Sequence, residues 1–173
     1  MEYLFITPQE LKSTTILGGN VDKDKFLFSI ANTQIITIQA LLGTELYDVI
    51  LEGAEASTLT GDYLEMYTKY VKPITKNQAL SEYIKISSYM VTNGGAYKHV
   101  ADNAELMTED DIMRLADTYA GIADTYIRRF YKWLNKHSIP EYKTYQDEVN
   151  ASKNMKSRSG WFFNSSSNQV EDT

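Results

Sequence analysis

The chain offers few side chains that could carry out acid–base or metal chemistry. It has no cysteine and two histidines, His99 and His137. The lack of cysteine excludes disulfides and thiolate metal sites. Neither histidine has an acid nearby in sequence at the spacing of a metal-ligand pair, so we interpret His137 as a complement to a helix end and His99 as a surface loop residue. We therefore predict no catalytic, cofactor-binding or metal-binding residues.

Two further groups of residues resemble functional motifs, but each has a simpler explanation. The acids Glu109, Asp110 and Asp111 follow Thr108, where a helix N-terminus favours negative charge, and this explains the cluster better than a cation site does. Gly94-Gly95 lacks the lysine spacing of a phosphate-binding loop and does not open a βαβ unit. The sequence thus predicts a protein that is not an enzyme and has no cofactor.

The most distinctive motif is Trp161-Phe162-Phe163, which lies in a Ser- and Asn-rich segment beginning at Asn150. Such a composition favours flexibility in the free chain. Three adjacent large apolar residues would bury extensive surface on docking. They would dock on a partner or neighbouring subunit, or fold back on their own domain, and we favour the first. We predict a helical domain over residues 1–149 and a flexible tail over 150–173.

Composition narrows the class of protein. The 173 residues are 43% hydrophobic, which is enough for one domain with a real core. The net charge of −6 argues against a protein whose main task is to wrap nucleic acid. No apolar run is long enough to span a membrane, and the N-terminus lacks the features of a secretory signal.

Apolar spacing and capping residues predict an all-α fold. Thr7-Pro8 opens a short helix that ends near Thr14. A second helix ends at Gly43 and includes the β-branched stretch 34–39, which could also be read as a strand. Thr44 caps a third helix that ends at Gly53. The expected core stripe of the second helix is Leu27, Ile30, Ala31, Ile35, Ile38 and Leu42.

Two long helices are expected to organise this helical bundle. The central helix is capped by Asp62, bends at Pro73 and continues to Val91. The last helix begins after Thr108 and ends at Ile139-Pro140. Between them, residues 92–107 form a projecting loop or short β-hairpin. The predicted contact residues of this loop and of the tail are Asn93, Gly94, Gly95, Tyr97, His99, Trp161, Phe162 and Phe163.

The order of these segments resembles the head-to-tail connector (adaptor) proteins of tailed bacteriophages. The resemblance covers residues 4–146 and is closest to the small helical versions in phages of Bacteroidetes hosts, including the ring proteins of crAss-like phages. The segments that carry it are ALLGTELYDVI, YLEMYTKYVKPITKNQALSEYI, VTNGGAY, TEDDI with the following RRFYKWL, and IPEY.

The resemblance implies a structural subunit of a homo-oligomeric ring, typically a dodecamer, in the virion neck. Such a ring sits under the portal protein, contacts further neck or tail ring proteins, and lets double-stranded DNA pass without specific binding. The alternative is a small helical regulatory or nucleic-acid-binding protein that uses Arg128, Arg129, Lys132 and Lys136 on the last helix.

Overall fold

A computed structural model describes residues 3–15, 23–87, 89–92, 95–98 and 108–143. These residues are mostly helical, which confirms the predicted all-α class. The elements in chain order are α1 (Pro8–Ser13), α2 (Lys23–Thr33), the π-helical segment π1 (Gln34–Gln39), α3 (Ala40–Leu42), α4 (Thr44–Glu55), α5 (Gly61–Met66), the π-helical segment π2 (Tyr67–Val71), α6 (Lys72–Ser87), β1 (Tyr89–Thr92), β2 (Gly95–Lys98) and α7 (Glu109–Leu134). Within this part of the chain no helix is both long and apolar enough to cross a membrane.

The predicted starts of the first and last helices are confirmed. Thr7 is the N-cap of α1, and its Oγ1 accepts a hydrogen bond from the Glu10 amide at 3.1 Å. Thr108 and Asp111 form a complete capping box at the start of α7, with each side chain bonded to the other residue's amide. These caps satisfy backbone donors that would otherwise lack partners in the first helical turn.

The second predicted helix is helical from Lys23 to Leu42, but its middle, Gln34–Gln39, is π-helical. Its buried side differs from the predicted stripe, because Ile35 is half-exposed while Phe26 is fully buried. Polar residues occupy part of that buried side, namely Ser29, Thr33 and Gln34. The prediction is correct for Ile30, Ile38 and Leu42, which are fully buried, and wrong for Ile35, because it assigned the core side from apolar residues alone.

Gly43 separates α3 from α4 and takes φ 78° and ψ 159°, a conformation that L-residues rarely adopt. The predicted stop at Gly43 is therefore confirmed. The predicted cap at Thr44 is wrong, because Gly43 is the N-cap and Thr44 is the first helical residue. The predicted end at Gly53 is also wrong, since α4 continues to Glu55.

The central helical region runs without interruption from Gly61 to Ser87 through α5, π2 and α6. Its N-cap is Thr60 rather than Asp62, which lies in the first turn. It does not reach Val91, because that residue belongs to β1. β-branched and aromatic residues favour extended backbone, and Tyr89–Thr92 pairs with β2 instead of extending the helix.

Pro73 is the second residue of α6, two residues after the end of π2 at Val71. In a regular helix its ring would clash with the carbonyl of Lys69 and leave that carbonyl without a donor. The wider π-helical turn relieves this crowding. The side chain of Asn77 also donates to the Pro73 carbonyl at 2.8 Å.

The core consists of two clusters along this central region. In one, π1, α4 and π2 pack against the end of α7, with Phe130 and Trp133 buried among aliphatic residues. In the other, α1 and α2 pack against α6 and the beginning of α7. Ala79 and Ala116 are fully buried in the second cluster, which allows α6 and α7 to approach closely.

Candidate interaction surface

The structure describes only two of the residues predicted to make contacts. Gly95 and Tyr97 lie in β2, which pairs antiparallel with β1 so that Thr92 faces Gly95 and Met90 faces Tyr97. The other predicted contact residues lie outside the described part of the chain. They are Asn93, Gly94, His99, Trp161, Phe162 and Phe163.

An exposed apolar surface that the sequence reading missed lies on α2 and π1. Phe28 is 60% exposed, Ile35 50% and Ile36 68%. Phe28 and Ile35 are about two helical turns apart, so they project from nearly the same side of the helix, and Ile36 is the next residue around the helix beside Ile35. We call Phe28, Ile35 and Ile36 the α2–π1 apolar surface.

This clustering is informative because single exposed apolar residues are common, whereas a contiguous exposed set marks an interaction site. α7 also carries three exposed large hydrophobic residues, Met113, Ile122 and Tyr131. They are nine residues apart, so successive ones project from opposite sides of the helix and form no single surface. The α2–π1 apolar surface therefore is the best-defined candidate for protein contact.

The opposite side of π1 holds a buried polar network centred on Gln34. Its Oε1 accepts from the Phe5 amide at 2.9 Å, and its Nε2 donates to the Tyr3 carbonyl at 2.9 Å and to the Tyr47 hydroxyl at 3.1 Å. The side-chain amide thus accepts from one backbone N–H group and donates to one backbone carbonyl of the N-terminal segment. These bonds fix the rotation of π1 about its axis and so direct Ile35 and Ile36 outward.

Tyr67 of π2 completes this network. Its hydroxyl donates to the Phe5 carbonyl at 3.1 Å and lies 3.4 Å from the Tyr3 hydroxyl. Burial, and secondarily the Tyr3 hydroxyl, raise the pKa of Tyr67, so the phenol stays protonated in the folded protein. The rings of Tyr47 and Tyr67 both meet Phe5 edge-on, at centroid distances of 5.6 and 5.7 Å.

The sequence signal that could have revealed this arrangement is a polar residue inside the apolar run of π1. Gln34 precedes Ile35 and Ile36, and apolar spacing alone predicts an ordinary helix over 34–39. A glutamine is rarely buried unless its amide is bonded, so its burial implies dedicated partners. Those partners, Tyr3 and Phe5, are distant in sequence and cannot be read from local spacing.

The basic residues of the alternative hypothesis are all exposed on or just after α7. They are Arg128, Arg129, Lys132 and Lys136. Arg129 lies over the Tyr126 ring at 5.7 Å, and Arg128 donates to the Thr125 hydroxyl at 3.1 Å. They form a small basic area on a helix whose first turn carries three acids.

Residues 38–154, about two thirds of the chain, match a family of unknown function, DUF6712. The chain belongs to the DUF6712 family. The match includes α4 to α7 but leaves out Phe28, Ile35 and Ile36, as well as Trp161 to Phe163. No curated protein matches the chain, and no solved structure does.

Proposed function

We propose that this DUF6712 protein is a non-catalytic structural subunit of a homo-oligomeric ring in the neck of a tailed bacteriophage. The ring joins the portal to the tail, contacts further neck or tail ring proteins and lines the DNA channel. The sequence resemblance to connector proteins supports the class, and the α2–π1 apolar surface is the observation that carries the proposal.

The α2–π1 apolar surface supports assembly because water contact with Phe28, Ile35 and Ile36 is unfavourable in a free subunit. Burying apolar area contributes roughly 25 cal/mol per Å². We assign the surface to a second copy of the chain, which would meet it with a different part of its own surface. Contacts of this head-to-tail kind close into a ring when the rotation between subunits divides a full turn.

The charge of the chain suits a DNA conduit. A net charge of −6 repels the phosphate backbone, so the passing duplex would not be gripped. Specific DNA binding would instead need a basic surface.

Two finer features belong to the same proposal. A bend at Pro73 beside π2 would give the subunit a wedge-like outline, as lateral packing in a ring requires. The segment 92–107 and the tail around Trp161 would reach adjacent subunits or the portal.

The test is the oligomeric state of surface variants. We expect a double variant, Phe28→Ser with Ile36→Ser, to lose self-association in multi-angle light scattering while keeping its helical circular dichroism spectrum. Met113→Ser is the matched control, because Met113 is 46% exposed on another helix. Unchanged assembly of the double variant would contradict the assignment of this surface.

The second candidate function, nucleic-acid binding, rests on the four exposed basic residues on and after α7. It predicts a DNA affinity that falls steeply with salt, because bound counterions are released. It also predicts that Arg129→Ala with Lys132→Ala weakens that affinity. The ring proposal predicts no measurable salt-dependent affinity for a short duplex.

A further inference from the structure

We propose that Asp62, Glu65 and His137 form a binding site for one divalent cation of borderline softness, such as Zn²⁺. This inference does not depend on the ring function. It concerns a side-chain cluster at the junction between the beginning of the central helical region and the end of the last helix.

The three side chains bring one donor atom each to a common point. Their ligand atoms all lie within 4.8 Å of one another. Asp62 and Glu65 are one turn apart on α5, and His137 follows the end of α7. Tetrahedral coordination with bonds of about 2.0–2.2 Å sets the donor atoms about 3.4 Å apart, so side-chain rotations that draw these atoms together by up to about 1.4 Å would complete coordination.

The His137 ring is held in place by a hydrogen bond and by stacking. Its Nδ1 lies 2.8 Å from the Trp133 carbonyl oxygen, which can only accept, so Nδ1 carries the proton. The lone pair of the neutral ring is then on Nε2. The ring stacks on the Trp133 indole at 4.0 Å and 15°, which limits its rotation. A backbone carbonyl bonded to the non-ligating nitrogen is the usual support of a metal-binding histidine.

A second observation comes from Trp133, which is only 6% exposed. Its indole nitrogen is buried, and no atom of the described residues forms a hydrogen bond with it. The His137 ring stacks on this indole at 4.0 Å, so the indole lies beside the cluster. The indole would thus hold one Glu65 oxygen while the other binds the cation.

Lys69 is the competing cation. Its Nζ lies 2.9 Å from Glu65 Oε1 across one exposed helical turn. An exposed pair of this kind is weak, so a divalent ion can displace the ammonium group. The helix dipoles favour neither the presence nor the absence of a cation at this site. The positive end of α5 and the negative end of α7 are both close to it, so their effects oppose each other.

The donor set indicates which ions fit. One imidazole and two carboxylates suit Zn²⁺ and related transition metals, whereas Mg²⁺ and Ca²⁺ prefer oxygen ligands alone. Water would fill the remaining position, because Asp62 is exposed. A bound ion would link α5 to the residues that follow α7. Tyr63 of α5 already donates a hydrogen bond of 2.6 Å to Glu141 in that segment.

The experiment is calorimetric titration of the chelator-treated full chain with ZnCl₂ at neutral pH, together with thermal unfolding. We expect one Zn²⁺ per chain and a higher melting temperature. His137→Gln, Glu65→Gln and Asp62→Asn should each weaken binding by about tenfold or more. Lys69→Met should tighten Zn²⁺ binding several-fold, since it removes the ammonium group that pairs with Glu65. A gain in affinity cannot result from unfolding of the site, so this variant is informative even if the others are unstable.

Two matched controls separate this site from general binding. His99→Gln changes the other histidine, and Glu82→Gln changes an acid paired with Lys85 at 3.7 Å on α6. Both should bind Zn²⁺ as the unsubstituted chain does. The proposal is overturned if the unsubstituted chain fails to bind, if His99→Gln weakens binding more than His137→Gln does, or if Lys69→Met leaves the affinity unchanged.

Discussion

Gln34 shows how one polar residue controls the position of a whole surface. It is 2% exposed, and its amide bonds to the backbone of Tyr3 and Phe5. Apolar neighbours alone would allow π1 to rotate, because Ile35 and Ile36 would also fit a core. A rotation of π1 that buried Ile35 and Ile36 would move the Gln34 amide away from Tyr3 and Phe5. That rotation is costly, since the amide donor and acceptor would then be left without hydrogen bonds.

The first prediction at the residue scale concerns that amide. Gln34→Met keeps the side-chain length but removes the bonds to Tyr3 and Phe5, so we expect a loss of about 2–4 kcal/mol in the free energy of unfolding. Urea denaturation measures it. Gln39→Met on the same π-helical segment is the control and should change stability by less than about 0.5 kcal/mol. Equal effects of the two substitutions would contradict the role of the network.

Tyr67 gives a prediction about pH. Burial raises its pKa above the ordinary value of 10.0, so the stabilising, protonated phenol is fully present at neutral pH. Above pH 10 the unfolded chain releases the proton and the folded chain retains it, so stability falls as pH rises.

Tyr67→Phe should therefore reduce the decline of the unfolding free energy above pH 10 by up to about 1.4 kcal/mol per pH unit. Denaturant titrations at a series of pH values measure the slope. Tyr131→Phe is the control, because Tyr131 is 46% exposed and should leave the slope unchanged. A slope that is the same in the Tyr67 variant and the unsubstituted chain would show that Tyr67 ionises normally.

At the scale of elements, local signals predict some boundaries correctly, but the predicted caps at Thr44 and Asp62 are wrong. Thr7 and Thr108 were recognised as caps because a cap acts within one helical turn. The stop at Gly43 was recognised for the same reason. Apolar periodicity predicts neither π-helical segment. Gln34 of π1 bonds to Phe5, which is distant in sequence, and the sequence predicts Pro73 beside π2 only as a bend. The α2–π1 apolar surface was missed as a consequence.

Gly43 provides the prediction at this scale. Its φ of 78° with ψ of 159° is strained for any residue with a Cβ, so Gly43→Ala should cost about 1–3 kcal/mol and loosen the α3–α4 corner. Gly121→Ala is the matched comparison on α7, where an added Cβ meets nothing within 4 Å. It should stabilise the protein by about 0.5–1 kcal/mol. Thermal unfolding would disprove the argument if both substitutions had the same sign.

For the whole molecule, the described residues form a helical body that carries the α2–π1 apolar surface on its outside. The family match identifies the chain with a group whose function is unknown, so the biological role rests on the connector resemblance and on this surface. The division into residues 1–149 and a tail stays a prediction, because the tail lies outside the described residues.

The tail prediction is tested by truncation. Removing residues 150–173 should leave the helical body folded and reduce its assembly with the portal, because Trp161, Phe162 and Phe163 would be lost. Replacing only these three aromatic residues with serine should have the same effect. Co-sedimentation with the portal measures it, and full assembly of both variants would rule out a docking role for the tail.

The most direct test of the ring proposal is light scattering of the purified full chain, alone and mixed with the portal protein of its phage, followed by electron microscopy of the complex. The account predicts a closed ring of identical subunits seated on the portal. A chain that remains monomeric and does not associate with the portal would contradict it.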